Sequence, residues 1–229
     1  MKEDFDGLYE RIRAGDVARE DALALAANPP LLFRTADELR KEEKGDVVTY
    51  LVNRNINFTN ICVGACKFCA FKGAQEEEYM LSMDTVLSRV EEAVSLGATE
   101  ICIQGGLHPN LVVDNYCEII ETIKSQFNVH LHAYSPMEIY HAARNSKMSE
   151  EEVLKALKRS GLGSMPGTAA EILDDSVRAI ICPTKITTAK WVEIIKTAHR
   201  LGIPSTATIM YGHIESLEHR IDHIFKILE

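Results

Sequence analysis

The spacing of apolar residues changes near residue 47, and this change divides the chain into two parts. Before it, apolar residues recur at helical spacing, as at Leu8 and Ile12. Asn28-Pro29-Pro30 interrupts this pattern, and a further amphipathic stretch runs to Lys44. These features predict a helical segment over residues 1–46 that caps the rest of the protein rather than forming a separate catalytic domain.

From residue 47 to residue 229, short apolar strands alternate with amphipathic helices. Ser82 can cap one helix that ends at Gly97, and Ser149 and Glu152 have the spacing of a capping box at the start of another. Such alternation is typical of a parallel sheet and favours an α/β fold, a TIM-type (βα) barrel with an N-terminal helical cap. The predicted strands are 55–62, 100–104, 129–134, 161–165 and 203–211.

About five βα units are fewer than the eight of a closed barrel. They predict a partial barrel, and either a C-terminal truncation of the chain or a second polypeptide that supplies the remaining units. An open doubly wound sheet is the alternative fold. The glycines of Gly105-Gly106 and Gly161-Leu162-Gly163, however, do not have the spacing of a dinucleotide-binding loop.

Composition narrows the possible partners. The 229 residues carry a formal net charge of −9, and 46% of them are hydrophobic. An acidic chain without a Lys/Arg cluster is a poor match for a phosphate backbone, so no nucleic-acid partner is expected. No apolar run approaches the roughly 20 residues that cross a bilayer, and the first 30 residues are charged throughout. These features predict a cytoplasmic protein with no membrane partner.

Three of the six cysteines lie within eight residues, directly after the first predicted strand. Cys62, Cys66 and Cys69 have the spacing C-x3-C-x2-C. Three thiolates on one loop can bind three irons of a [4Fe–4S] cluster and leave the fourth iron open for a second molecule, whereas electron-transfer clusters normally have four cysteines. The alternative is a Cys3His zinc site with His108 or His132 as the fourth ligand.

The motif resembles that of a known superfamily. A C-x3-C-x-(aromatic)-C loop at the end of a first barrel strand, with Phe68 in the aromatic position, is the signature of radical S-adenosylmethionine (SAM) enzymes. The resemblance implies a [4Fe–4S] cluster on Cys62, Cys66 and Cys69. Its open iron would chelate the amino and carboxylate groups of SAM, and its reduction would yield methionine and a 5′-deoxyadenosyl radical.

The same resemblance implies further cofactor-binding residues near predicted strand ends. Phe68 would lie near the adenine, Gly105-Gly106 would contact the SAM amino group, and Glu171 and Arg178 would contact the ribose and carboxylate. Met210 would border the adenosine or the substrate. The residues themselves leave open a simple turn at the glycine pair and surface ion pairs at Glu171 and Arg178.

Longer strings resemble one subgroup of the superfamily. Residues 55–69 are similar to FO synthase subunit 2 and to the menaquinone enzymes of the futalosine pathway, and Pro166–Leu173 most resembles the FO synthase subunit 2 family. That family transfers the 4-hydroxybenzyl group of L-tyrosine to 5-amino-6-(D-ribitylamino)uracil and releases 2-iminoacetate, which makes a precursor of the deazaflavin FO of coenzyme F420.

The resemblance further implies FO synthase subunit 1 as a pathway partner and an external reductant for the cluster. It assigns no catalytic residue. Several side chains near predicted strand ends are candidates for substrate contact or for structural hydrogen bonds, namely Tyr79, His108, His132, Tyr134 and His213. The alternative functions are a futalosine-pathway radical SAM enzyme and a non-catalytic fragment that binds a cluster.

Overall fold

A computed structural model of the chain describes residues 5–70 and 77–229. The first four residues of the predicted N-terminal segment therefore lie outside the described residues. The elements, in chain order, are α1 (Phe5–Arg13), α2 (Arg19–Ala26), α3 (Pro29–Lys44), β1 (Asn53–Asn57), α4 (Met83–Ser95), β2 (Glu100–Gln104), α5 (Val113–Gln126), β3 (His130–Ala133), α6 (Pro136–Ser146), α7 (Glu150–Ser160), α8 (Asp175–Ile181), α9 (Thr188–Arg200) and α10 (Leu217–Leu228).

The chain divides into two compact units. One contains the residues up to Tyr50 together with Tyr211–Glu229, and the other contains Leu51–Met210. In the first unit α2 packs on α10, and Arg19 on α2 binds Asp222 on α10 through two hydrogen bonds of 2.5 and 3.0 Å. The boundary at residues 46 and 47 was drawn from sequence pattern alone and stays a prediction.

The second unit contains a parallel sheet in the order β1-β2-β3. Asn55 lies opposite Cys102, and Cys102 lies opposite His132, so the three strands are in a continuous register. Single parallel bridges, from His132 to Ser164 and from Met165 to Ser205, continue the same order. The predicted succession of parallel segments is thus present, and β2 has the predicted bounds.

The fourth and fifth predicted strands are shorter than expected. The fourth makes one bridge at Ser164 and one at Met165, and the fifth makes a single bridge at Ser205. Pro166 and Pro204 flank these bridges and have no N–H to donate to a sheet ladder. The first strand, predicted at 55–62, both begins and ends earlier, at Asn53–Asn57.

Helix α6 is an element that the sequence pattern did not predict. Ser135 and Glu138 form a capping box at its start, and Pro136 occupies its first position. The predicted capping box of Ser149 and Glu152 is confirmed at the start of α7. Two helices therefore separate β3 from the next parallel segment.

The core of the second unit lies between the sheet and its helices. The sheet face that points to the helices is buried and apolar, with Ile101, Ile103 and Leu131 at most 1% exposed. The helices contribute apolar residues at helical spacing, including Val90, Ile120, Ile123, Leu154, Leu157 and Ile194. None of the helices in the described part of the chain has the length and apolar character that crossing a bilayer requires.

Candidate functional site

A cavity of about 250 Å³ opens beyond the carboxyl ends of the strands of the second unit. Enzymes with parallel (βα) architecture place their active sites at this end of the sheet. Seven of the nine residues that the sequence predicted for the metal and cofactor site line this cavity, namely Cys62, Cys66, Phe68, Cys69, Gly105, Gly106 and Glu171. The other two, Arg178 and Met210, lie outside its lining.

The cysteine loop is held by backbone contacts to other segments. The amide of Val63 donates to the carbonyl of Leu107 at 3.1 Å, and the amide of Lys67 donates to the carbonyl of Ile181 at 2.8 Å. Burial raises the pKa of the Cys66 thiol to about 11, although Lys185 opposes the shift. A metal that binds this thiol must therefore displace its proton.

The structure brings the three cysteines into one wall but does not close them around a metal. Within residues 5–70 and 77–229, no three His, Cys, Asp or Glu side chains lie in an arrangement that could hold a metal ion. The rings of the two suggested zinc ligands point to other partners, since His132 Nδ1 lies 2.6 Å from Ser164 Oγ and His108 Nδ1 accepts from the amide of Asn110. Neither His108 nor His132 lines the cavity.

The other candidates for substrate contact make hydrogen bonds within the protein. The hydroxyl of the buried Tyr134 donates to the carbonyl of Tyr116 at 2.9 Å, and the hydroxyl of Tyr79 donates to a carbonyl of β1 at 3.3 Å. His213, in the first unit, lies 3.2 Å from a carboxylate oxygen of Glu215. These contacts support structural roles.

The glycine pair after β2 lies against the start of the cysteine loop. A Cβ on Gly106 would come within 2.3 Å of the carbonyl oxygen of Ile61, and one on Gly105 within 2.6 Å of the Phe58 ring. The amide of Gly106 already donates to the carbonyl of Thr59 at 2.8 Å. The absence of side chains is therefore required by the close approach of two segments.

Glu138 is a cavity residue that the sequence analysis missed. Its carboxylate accepts the amide of Gly105 at 3.0 Å and both the amide and the hydroxyl of Ser135 at 2.8 and 2.7 Å. Burial raises its pKa to about 7, although these hydrogen bonds favour the ionised form. The Ser-x-x-Glu spacing directly after the third predicted strand was the signal that could have identified it.

Glu171 lies in a tightly bent segment of the cavity wall. The backbone adopts positive φ angles at Ala169 (62°) and at Glu171 (45°), a conformation that costs free energy in residues other than glycine. Glu171 Oε1 accepts from Lys185 Nζ at 2.6 Å. Its other oxygen, Oε2, is buried with no hydrogen-bond partner in the structure, and Arg178 Nη1 lies 3.9 Å from it.

Arg178 is buried behind this segment rather than in the cavity. Its guanidinium donates to the carbonyls of Ala169 and Ala170 at 3.1 and 2.6 Å, and to the carbonyl of Ile186 at 2.6 and 3.2 Å. Met210 packs against a small buried cluster of the second unit, and its amide donates to the carbonyl of Glu171 at 2.9 Å. Both residues support the segment that carries Glu171, and direct contact of either with SAM stays a prediction.

A parallel (βα) fold with three cysteines in the wall of the cavity beyond its strands is the architecture of radical SAM proteins. The family model described as the Radical SAM superfamily matches residues 56–227. The chain therefore belongs to the radical SAM superfamily.

Two curated relatives with high sequence identity to this chain share one enzyme name. The chain is 61% identical over 204 residues to the 5-amino-6-(D-ribitylamino)uracil–L-tyrosine 4-hydroxyphenyl transferase of Archaeoglobus fulgidus, which covers 89% of the chain and 59% of that protein. It is 53% identical to the transferase 1 of the same name from Methanosarcina mazei, over 98% of the chain and 60% of that protein. The chain thus spans about 60% of the length of these curated relatives.

A solved structure shows the same fold. The crystal structure of methylornithine synthase (PylB) matches with a TM-score of 0.76 at 16% identity, over 96% of this chain and 64% of that one. The predicted fold class, a radical SAM TIM-type barrel of which this chain carries part, is confirmed.

Membership in this superfamily implies a [4Fe–4S] cluster and SAM. Two features of the described residues fit these groups. The three cysteines line a single cavity, and Glu171, which lines the same cavity, has a buried acceptor, Oε2, without a partner. A ligand hydroxyl would satisfy that oxygen, whose isolation otherwise costs about 1–3 kcal/mol.

Proposed function

We propose that this chain provides the cluster- and SAM-binding part of a transferase that joins the 4-hydroxybenzyl group of L-tyrosine to 5-amino-6-(D-ribitylamino)uracil. The names and the identity of the curated relatives support the reaction. The observation that carries the proposal is the common cavity of the three cysteines, the glycine pair and Glu171 beyond the strand ends.

Different residues of the cavity would bind the cluster and the different parts of SAM. Cys62, Cys66 and Cys69 would hold the cluster, which with SAM supplies a 5′-deoxyadenosyl radical. Phe68 would pack against the adenine, the carbonyl groups of the Gly105-Gly106 segment would accept from the SAM ammonium group, and Glu171 Oε2 would accept from a ribose hydroxyl. The protein's own task is to orient the reactants and to exclude water from the radical.

The proposal includes partners that the enzyme would need. Reduction of the cluster requires an external electron donor, and FO synthase subunit 1 would be a partner in the same pathway. We place this chemistry in the cytoplasm, where free thiols stay reduced.

Removal of one proposed cluster ligand tests the cofactor assignment. Anaerobic reconstitution with iron and sulfide should give about four irons per chain, and C66A should lose both the cluster and reductive cleavage of SAM. C117A is the matched control, because Cys117 is half-buried and lies outside the cavity lining. Zinc without iron in the wild-type protein, or undiminished SAM cleavage by C66A, would contradict the assignment.

A second experiment tests the substrates. The reconstituted protein is incubated with SAM, a reductant, L-tyrosine and 5-amino-6-(D-ribitylamino)uracil, and the products are followed by mass spectrometry. Transfer of the 4-hydroxybenzyl group supports the proposal. Turnover of a futalosine derivative alone would instead support the menaquinone pathway, and cluster binding without turnover of either set would support the non-catalytic alternative.

A further inference from the structure

The cavity contains a cation that neither the sequence motif nor the comparisons assign. Lys185 lines the cavity, and its side chain is 15% exposed. The other charged residues in the described lining are Glu138 and Glu171, so Lys185 is the positive group of that lining. Among the described lining residues, Lys185 is therefore the cation with which an anionic group of a ligand could pair.

Two contacts fix the position of the Lys185 ammonium group. Nζ lies 2.6 Å from Glu171 Oε1 and 5.3 Å from the centroid of the Phe68 ring. The ammonium group has three N–H donors, and its hydrogen bond to Glu171 uses one of them. The ammonium group therefore lies beside both the cysteine loop and the Glu171 segment, with two further donors that a ligand could engage.

Arg178, which the sequence motif suggested for a carboxylate, is engaged elsewhere. Its guanidinium is 4% exposed and its hydrogen bonds go to backbone carbonyls behind the cavity wall. A ligand carboxylate could reach Arg178 only if those hydrogen bonds broke. Lys185 needs no such rearrangement.

We propose that Lys185 is the residue that binds the α-carboxylate of an amino acid ligand in this cavity, either the methionyl end of SAM or free L-tyrosine. The inference rests on the proposed function for its choice of ligands. Glu171 holds the ammonium group in place through Oε1 and keeps Oε2 for a ligand donor. A hydrogen bond between an ammonium and a carboxylate is among the stronger ones, and it would contribute at least about tenfold to affinity in a partly buried site.

The test compares ligands with and without the carboxylate. Binding of SAM, decarboxylated SAM, L-tyrosine and tyramine to the reconstituted protein is measured by calorimetry for the wild type, K185M, K185R and the control K155M. Lys155 pairs with Glu151 on the surface of α7. We expect K185M to weaken one carboxylate ligand at least about tenfold, to leave its carboxylate-free analogue unchanged, and to be partly rescued by K185R.

The pattern of losses identifies the ligand and can overturn the proposal. Loss for SAM assigns the methionyl carboxylate, and loss for tyrosine assigns the substrate carboxylate. Unchanged affinity for both, or equal losses for a ligand and its carboxylate-free analogue, refutes the role of Lys185. Because K185M isolates Glu171, the double variant E171Q/K185M repeats the comparison without an unpaired acid and must show the same loss of discrimination.

The proposed function and this inference fail in different ways. Absence of iron and of SAM cleavage in the wild-type protein would contradict the proposed function. A wild-type protein with a full cluster whose K185M variant binds every ligand normally would contradict only the inference.

Discussion

Substitution of Arg178 by methionine should destabilise the protein strongly, before any cofactor is bound. The change keeps an unbranched side chain but removes a buried guanidinium that serves the carbonyls of Ala169, Ala170 and Ile186. These carbonyls lie in or beside a segment with two positive φ angles. Without the guanidinium they would be buried acceptors with fewer partners, and the strained backbone would lose its support.

The magnitude follows from the number and kind of contacts. Hydrogen bonds from a charged donor contribute about 1.5–3 kcal/mol each, but they are not additive, and breaking a buried charged network typically costs about 3–5 kcal/mol. We therefore expect R178M to lower the free energy of unfolding by about 3–5 kcal/mol, a large share of the roughly 5–15 kcal/mol of a typical domain. The free energy of unfolding of R178K should lie between those of the wild type and R178M, because one ammonium group cannot make all the hydrogen bonds of a planar guanidinium.

Chemical denaturation of the apo-protein measures this loss directly. R144M is the control, since Arg144 is exposed, contacts the Tyr140 side chain and should change stability by no more than about 0.5 kcal/mol. If R178M unfolds within 1 kcal/mol of the wild type while SAM affinity falls about tenfold, Arg178 faces the ligand and the structural account is wrong.

Two further predictions concern the glycine segment and its carboxylate partner. G106A should express poorly or lose its cluster, because its Cβ would lie 2.3 Å from a backbone oxygen. G105A should have a milder effect, because its Cβ would meet only the Phe58 ring, at 2.6 Å. Equal thermal stability of the two variants would contradict this prediction. The raised pKa of Glu138, about 7 against 4.5, means that the folded state holds the proton more tightly, so this contribution to stability is fully present below pH 4.5 and is lost as the pH rises towards 7. Between pH 5 and pH 8 the melting temperature should therefore fall more for the wild type than for E138Q. Equal changes in the melting temperature of the two proteins would show that Glu138 stays ionised.

Local signals predicted much of this fold, and long-range contacts account for what they missed. Ser82, Gly97 and the Ser149–Glu152 pair marked helix ends because capping depends on residues a few positions apart. The cysteine loop was equally visible because its chemistry is contained in eight residues. The fourth and fifth strands were predicted too long because an apolar pattern does not reveal how many residues of a segment find a neighbouring strand to pair with.

The candidate site shows the same division. Lys185 has no sequence motif of its own, and its role emerges only when the fold brings it to within 2.6 Å of Glu171, fourteen residues earlier. Arg178 was predicted to line the cavity because a guanidinium suits a carboxylate, yet in the structure its guanidinium donates to backbone carbonyls. Residue type suggests which contacts are possible, and packing determines which of them form.

The pattern of satisfied and unsatisfied groups indicates that the cavity wall is formed before ligands bind. Glu138 receives donors from the end of β2 and the start of α6, and Arg178 holds the carbonyls behind Glu171. Among the described lining residues, Glu171 Oε2 is the buried side-chain atom left without a partner. Arg178 Nη1 is 3.9 Å from Oε2 and Lys185 donates to Oε1, so no described donor reaches Oε2 in this arrangement. A ligand donor would satisfy this oxygen and would offset the free energy lost by keeping one acceptor unpaired.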